Sequence, residues 1–169
     1  YFNEAAKIIY DFTWSDFCDW YIEIIKTRLY SEDEHQKNIA RSVAIKCIKS
    51  IITLLHPYTP FITEELWSYF KDDSESSLII SPWLKNKPYQ KAKNIQKEMT
   101  FLKSIVTSIR STRSRMSVPF SKKIDLTVRC DKKVEITFNK HKVLIKSLAN
   151  INHIYLGAKI DKPAQSSTT

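Results

Sequence analysis

The sequence predicts a mainly α-helical fold: an antiparallel helix bundle followed by a small α+β appendage. Glycine occurs once in 169 residues, at Gly157, which favours long helices over tight turns. Apolar residues recur at helical spacing up to about residue 114, and they alternate with polar residues only after Pro119. The predicted parts are three bundle helices with a connector over 1–93, a fourth bundle helix over 94–118, an α+β subdomain over 119–160 and a flexible tail over 161–169.

The first predicted helix covers about residues 1–30 and is apolar on most of its faces. We therefore expect neighbours to pack against it on more than one side. Its aromatic residues Trp14, Phe17, Trp20 and Tyr21 stand at helical spacing, which favours a core position. The functional alternative is that these rings stack on unpaired bases.

The second predicted helix begins after Ser31 and ends near Leu55. Ser31 and Glu34 have the spacing of a capping box, in which each side chain satisfies a free backbone N–H. Pro57 then interrupts the helical pattern because proline lacks the backbone N–H that a helix interior needs.

The third predicted helix begins at Pro60, with Thr59 as its N-cap. Its amphipathic pattern places Phe61 and Trp67 in the core. Glu64 and Glu65 are adjacent, so they diverge by about 100° on a helix and do not face one reacting centre. We interpret them as acids that the helix dipole favours near the N-terminus.

A connector follows, and we expect its Trp83 to be buried between bundle and appendage. The fourth predicted helix spans about 94–114, with one apolar stripe and an opposite face that is small and polar. That polar face consists of Thr100, Ser104, Thr107, Ser108 and Ser111.

In the appendage, apolar residues follow the strand spacing of two in some segments and the helical spacing of three to four in others. Alternation predicts strands over 124–128 and, with Val134, Ile136 and Phe138, over 134–138. Residues 140–150 are predicted to be helical, and a third strand is predicted over 151–156.

Charge divides the chain unevenly. Residues 1–84 carry 8 Lys/Arg and 13 Asp/Glu, a net charge of −5, whereas residues 85–169 carry 19 and 5, a net charge of +14. A half this basic repels itself unless it meets a polyanion, so nucleic acid is the first candidate partner and anionic lipid the second. The alternative is a lysine-rich surface that serves solubility.

Cysteine and histidine positions predict no metal site. Cys18, Cys47 and Cys130 have no metal or redox spacing, and their odd number argues against a disulfide framework. We expect three buried small hydrophobic side chains. The four histidines are scattered, and no carboxylates cluster at ligand spacing.

Six basic residues are the candidates for contact with phosphate: Lys103, Arg110, Arg113, Arg115, Lys122 and Lys123. We expect Arg110 and Arg115 to point outward and to form one exposed ridge with the two lysines. Arg113 falls near the centre of the apolar stripe, so it alternatively pairs with an acid such as Asp16 or Asp19. The other alternative is an ordinary solvated run of charge.

Four segments carry a resemblance to a known family: YDFTWSDFCDWYIE at 10–23, LLHPYTPFITEELW at 54–67, IISPW at 79–83 and IRSTRSRMSVPFSKKI at 109–124. In this order and spacing they resemble the C-terminal anticodon-binding region of bacterial-type valyl-tRNA synthetases, which are class I aminoacyl-tRNA synthetases. PFITEELW is shared loosely with the isoleucyl and leucyl relatives. The first and last segments are more specific to the valyl enzymes.

The resemblance implies a helix bundle that grips the anticodon stem-loop of tRNA(Val), with no catalytic residue, metal or cofactor in this region. It implies a full-length, monomeric, cytoplasmic ligase that joins valine to tRNA with ATP and Mg, its catalytic and editing domains in the same chain. Neither active-site signature of that family, His-Ile-Gly-His or Lys-Met-Ser-Lys-Ser, occurs in the 169 residues. The family's first bundle helix would precede Tyr1 and its coiled-coil arm would follow Gly157, so we expect a fragment.

Two alternatives stay open. One is the anticodon-binding domain of an isoleucyl- or leucyl-tRNA synthetase. The other is a freestanding basic helical module that docks partners or membranes, which would favour large apolar residues on an outward basic face. The Ser/Thr-rich face of the fourth helix favours the tRNA-binding interpretation.

Overall fold

Most of the chain is helical, as the single glycine and the helical spacing predict. The structure is a computed structural model that describes residues 1–85, 93–164 and 166–167. Its contacts separate two units, unit 1 (Tyr1–Pro88) and unit 2 (Tyr89–Thr169). Unit 1 contains helices, and unit 2 adds two strands. The prediction of a helical domain with a small α+β part is confirmed.

Unit 1 opens with a continuous helical stretch made of α1 (Phe2–Asp11), a π-helical segment (Phe12–Ile22) and α2 (Glu23–Leu29). The stretch confirms the predicted helix, and Phe17 is buried as expected. The core position expected for Trp14 is wrong, because this side chain is 60% exposed. π-Helical winding takes more residues per turn than an α-helix, so the 3.6-residue period misplaces side chains in this segment.

Helix α3 (Glu34–Leu55) confirms the second predicted helix, but its cap differs. The carboxylate of Asp33 accepts from the backbone N–H groups of His35 and Gln36, at 2.9 and 3.2 Å. The capping box of Ser31 and Glu34 is wrong, since the Ser31 hydroxyl donates to the Arg28 carbonyl instead. Ser31 stands two residues too early to serve as the N-cap.

Helix α4 (Pro60–Phe70) begins at proline as predicted. Trp67 is 6% exposed and forms a buried cluster with Ile52 and Leu78, and its indole N–H donates to the Ser76 carbonyl at 3.1 Å. The core position expected for Phe61 is wrong, since this ring is 90% exposed. Residues six apart on a helix point about 120° away from each other, so Phe61 and Trp67 do not share one face.

Two expectations near the end of unit 1 are also wrong. Glu64 lies beyond the first turn of α4, and its carboxylate caps the 3₁₀ turn Leu78–Ile80 by accepting from the Ser77 hydroxyl and the backbone N–H of Leu78. The first-turn dipole interpretation of Glu64 therefore fails. Trp83 is 58% exposed and does not form a buried plug. Pro88 of the connector lies outside the described residues.

Unit 2 consists of α5 (Lys93–Arg115), β1 (Ile124–Arg129), α6 (Lys132–Lys140), α7 (Lys142–Ala149) and β2 (Ile151–Gly157). The strands pair in parallel, with Ile124 opposite Ile151 and a bulge before Leu126 meets Ile154. The buried core draws on three helices and β2: Leu102, Val106, Ile109, Phe138, Ile145, Leu148, Ala149, Ile151 and Ile154.

The strand predicted over 134–138 is wrong, because these residues belong to α6. Asp131 caps α6 by accepting from the Val134 backbone N–H at 2.8 Å. Val134 and Phe138 also fit the helical spacing of four, so a short alternating run suits either structure.

Three domain expectations remain predictions. One is that α5 completes the bundle of unit 1 as its fourth helix, and another is the set of boundaries placed at 93, 118 and 160. The third is the flexible tail over 161–169, which lies partly outside the described residues. Within the described residues, no helix is both long and apolar enough to cross a membrane.

Candidate nucleic-acid interface

Three of the six candidate cations are exposed within nine residues of unit 2. Arg115 is the last residue of α5 and is exposed, and Lys122 and Lys123 are exposed immediately before β1. Residues 116–123 form the loop between these elements. We name Arg115, Lys122 and Lys123 the basic corner. Three exposed cations on a short stretch of chain suit a phosphate backbone, which a protein contacts through charge without selecting sequence.

Arg113 holds this loop from inside. It is 4% exposed, and its Nη2 donates to the carbonyls of Pro119, Phe120 and Lys122 at 2.6, 3.1 and 2.5 Å. Its Nη1 donates to the Ala149 carbonyl at 3.2 Å. The sequence left open that Arg113 pairs with an acidic side chain, and in the structure its partners are these backbone carbonyls instead. A guanidinium enclosed in this way does not reach a phosphate, so Arg113 leaves the set of contact candidates.

Arg110 also faces its own unit, contrary to the outward position expected. Its Nε and Nη2 donate to the Leu148 carbonyl at 3.2 and 2.9 Å, and the side chain is half-buried. The last carbonyls of a helix lack intrahelical partners and carry partial negative charge. Arg110 and Arg113 therefore satisfy the C-terminal end of α7, and the predicted four-residue ridge contracts to the basic corner.

Asn150 bonds the same loop and shares the Phe120 carbonyl with Arg113. It has a left-handed backbone with φ 51°, and its Nδ2 donates to the carbonyls of Phe120 and Ser121 at 2.6 and 3.3 Å. Sequence reasoning did not single out Asn150. The available signal was an asparagine directly after a helical pattern, a position where asparagine tolerates left-handed backbone.

Four of the five residues of the predicted polar face of α5 are exposed, and the fifth, Ser108, is half-buried. Thr100, Ser104, Thr107 and Ser111 are exposed, while Lys103 is half-buried beside them. Small hydroxyl side chains allow a backbone to approach closely and can donate to phosphate oxygens. This face therefore extends the polar surface away from the basic corner.

Some charge of unit 2 is neutralised within the unit. Glu98 accepts from Lys140 at 2.6 Å and lies 3.1 Å from Nε2 of His141. The hydrogen bonds from Lys140 and His141 hold the pKa of the Glu98 carboxyl below its ordinary value. Lys140 is therefore a weaker candidate for phosphate contact than the lysines of the basic corner.

The three cysteines differ from the burial that the sequence predicts. Cys18 is exposed and Cys47 and Cys130 are half-buried, so the expectation that all three are buried is wrong. Partial burial raises the pKa of the Cys47 thiol. Throughout the part of the chain that the structure describes, no three His, Cys, Asp or Glu side chains are placed to hold a metal ion.

Comparison with known proteins points to one family. The family model described as the anticodon-binding domain of tRNA ligase matches residues 1–128, which include the whole basic corner. The chain is 36% identical over 166 residues to a valine–tRNA ligase of Halalkalibacterium halodurans, which covers 98% of the chain and 19% of that relative.

Two further valine–tRNA ligases are similar to the chain over nearly its whole length. The protein of Pelagibacter ubique is 36% identical over 165 residues, which covers 96% of the chain and 18% of the relative. That of Geobacillus stearothermophilus is 32% identical over 168 residues, 99% of the chain and 19% of the relative. The chain thus spans about a fifth of the length of the relatives it matches.

Proposed function

The chain belongs to the family of anticodon-binding domains of tRNA ligases, and from this premise we propose that it is the tRNA-binding module of a valine–tRNA ligase. It binds the anticodon stem-loop of tRNA(Val) and takes no part in the chemical step. The whole protein is a cytoplasmic enzyme that joins valine to tRNA with ATP and Mg, and its catalytic and editing domains act beside this module.

The observation that carries the proposal is the match over residues 1–128, which ends after the basic corner. Arg115, Lys122 and Lys123 are exposed on a unit with a strong excess of positive charge. Cations on such a surface release counterions from the nucleic acid when they neutralise its phosphates. Affinity from this source does not depend on the base sequence, so the basic corner positions the RNA and leaves base recognition to other contacts.

The sequence motifs indicate which step of the reaction this chain does not perform. The 169 residues hold neither active-site signature of the family and no glycine-rich loop for phosphate, because Gly157 is the only glycine. Activation of valine with ATP is therefore assigned to the rest of the protein.

The proposal is tested by titrating the 169-residue chain with a tRNA(Val) transcript at several salt concentrations. We expect a log–log slope of about −3 to −5, which corresponds to roughly four to six neutralised phosphates. Replacing Lys122 and Lys123 together by Ala should make the slope less negative by about 1.5 to 2 and weaken binding about fivefold to thirtyfold.

Lys132 and Lys133 provide the matched control. They are adjacent and exposed in the first turn of α6, so their joint replacement by Ala removes the same charge from the same unit. We expect a much smaller loss of affinity. Equal losses from both pairs would show that net charge, not the basic corner, attracts the RNA, and a slope near zero would remove the electrostatic contact.

A further inference from the structure

We propose that Arg113 is a positioning residue for RNA binding, which holds Lys122 and Lys123 in the arrangement that meets phosphate. The inference rests on the proposed function, because it concerns the lysine pair of the basic corner. The side chain of Arg113 is almost inaccessible to solvent, being 4% exposed. Its action on RNA is therefore indirect and runs through the loop.

The hydrogen bonds of Arg113 are concentrated on the loop that carries the lysines. Three of its four acceptors are loop carbonyls, and one of them is the carbonyl of Lys122 itself, 2.5 Å from Nη2. The ring of Phe120 lies 5.5 Å from the guanidinium carbon and covers it. The loop thus turns its carbonyl oxygens inward around one cation while the side chains of Lys122 and Lys123 are exposed.

A buried cation makes such a loop hard to rearrange. Removing a guanidinium from water is costly unless hydrogen bonds replace its hydration. Among the buried atoms of the described residues, Nε of Arg113 has no hydrogen-bond partner, so the compensation falls on the four bonds from Nη1 and Nη2. Any movement of residues 119–122 would leave the charge less compensated, and the loop therefore keeps one shape.

Fixing the loop in advance favours binding. A flexible segment that carries two lysines would lose conformational entropy when it binds, and a segment already fixed does not. Asn150 adds a second attachment, since its Nδ2 donates to the carbonyls of Phe120 and Ser121. Arg113 and Asn150, the residue that follows α7, both donate to the Phe120 carbonyl, and between them they bond each carbonyl from Pro119 to Lys122.

The test is a double-mutant cycle on the 169-residue chain, with tRNA(Val) binding measured at a temperature where every variant is folded. The first change is Arg113→Gln, which removes the buried guanidinium. The second is the joint replacement of Lys122 and Lys123 by Ala. We expect the lysine change to weaken binding about fivefold to thirtyfold in the wild type, but less than about twofold in the Arg113→Gln background.

Two further variants separate positioning from stability. Ile145→Val removes one methylene from the core of unit 2, far from the loop in sequence, and should lower stability with unchanged affinity and salt slope. Asn150→Gly keeps the left-handed backbone but removes the amide donor, so it should weaken binding even if Arg113→Gln fails to fold. Arg113→Lys should restore little, because one ammonium cannot reach the same spread of carbonyls.

Each outcome decides the matter. The positioning role is supported if replacing the lysine pair weakens tRNA binding in the wild type but has little effect in the Arg113→Gln variant. Equal lysine effects in both backgrounds would overturn the role of Arg113 and leave the proposed function standing. A lysine pair without effect in the wild type would overturn the phosphate contact itself, and the role of Arg113 with it. If Arg113→Gln is unfolded, unchanged affinity in Asn150→Gly overturns the inference.

Discussion

Unit 1 and unit 2 differ in net charge, and each contains side chains whose exposure is unusual for their residue type. Unit 1 carries 10 Lys/Arg and 13 Asp/Glu, a net charge of −3, whereas unit 2 carries 17 and 5, a net charge of +12. In unit 1, large aromatic residues such as Trp14 and Phe61 are exposed. In unit 2, an arginine is among the most buried side chains. The character of a residue alone therefore does not determine where it lies.

Partners for polar atoms explain why Trp67 and Arg113 are buried. Trp67 can be buried because its indole N–H donates to the Ser76 carbonyl. Arg113 can be buried because four carbonyls face its guanidinium. Buried polar groups are stable where such partners exist, whatever the hydrophobicity of the residue. A count of basic residues in unit 2 consequently overestimates the charge available to RNA.

The largest effect that would test this comparison lies in unit 1. Trp67→Ala should destabilise unit 1 by about 3–5 kcal/mol, because it leaves a cavity beside Ile52 and Leu78 and an unpaired Ser76 carbonyl. Phe61→Ala on the same helix should change stability by less than about 0.5 kcal/mol. Urea unfolding followed by circular dichroism measures both, and similar losses would show that exposed aromatic residues of unit 1 are also part of a core.

The next effect lies in unit 2. Arg110→Ala should cost about 1.5–3 kcal/mol, because its charged hydrogen bonds to the Leu148 carbonyl are lost. Arg115→Ala should cost less than about 0.5 kcal/mol, since Arg115 is exposed. Amide hydrogen exchange in α7 and urea unfolding provide the measurements. If Arg115→Ala were the more destabilising change, the assignment of Arg110 to the fold and Arg115 to the basic corner would be reversed.

Periodicity predicted most helices and two strands because their burial is regular. The same reasoning placed Arg113 on the apolar stripe of α5, which its burial agrees with. It could not supply the partners, because the carbonyls of Pro119 and Ala149 approach Arg113 only after the chain has folded.

The errors have local causes. The run from Val134 to Phe138 satisfies both the strand and the helix period, and Asp131 as N-cap was the signal that decides between them. Trp14 lies in π-helical backbone, where the α-helical period does not apply. The positions of the basic residues along the chain predicted an exposed ridge that included Arg110 and Arg115, but the separation of Arg110 from Arg115 depends on the position of α7.

The smallest effect compares two carboxylates, Glu64 in unit 1 and Glu98 in unit 2. Both pKa values lie below the ordinary 4.5, Glu64 through the Ser77 hydroxyl and the Leu78 backbone, and Glu98 through Lys140 and His141. A lowered folded-state pKa means that each carboxylate stabilises its unit above the ordinary pKa, and that this contribution is lost as pH falls through the folded-state value. Glu64→Gln and Glu98→Gln should therefore lower the unfolding midpoint at neutral pH and match the wild type in acid.

Salt should distinguish these two carboxylates, because their partners differ in charge. Neutral donors hold Glu64, whereas a cation holds Glu98 at 2.6 Å. Salt at about 1 M shortens the screening length to about 3 Å, so it weakens even an exposed ion pair of this separation. The effect of Glu98→Gln should shrink on adding salt, while that of Glu64→Gln should persist. All four tryptophans lie in residues 1–88, so tryptophan fluorescence follows unit 1, and hydrogen exchange in α5 and α6 follows unit 2. Equal salt sensitivity of the two variants would mean that long-range charge, not the local partner, sets both pKa values. The contrast between a carboxylate held by neutral donors and a carboxylate held by a cation would then fail.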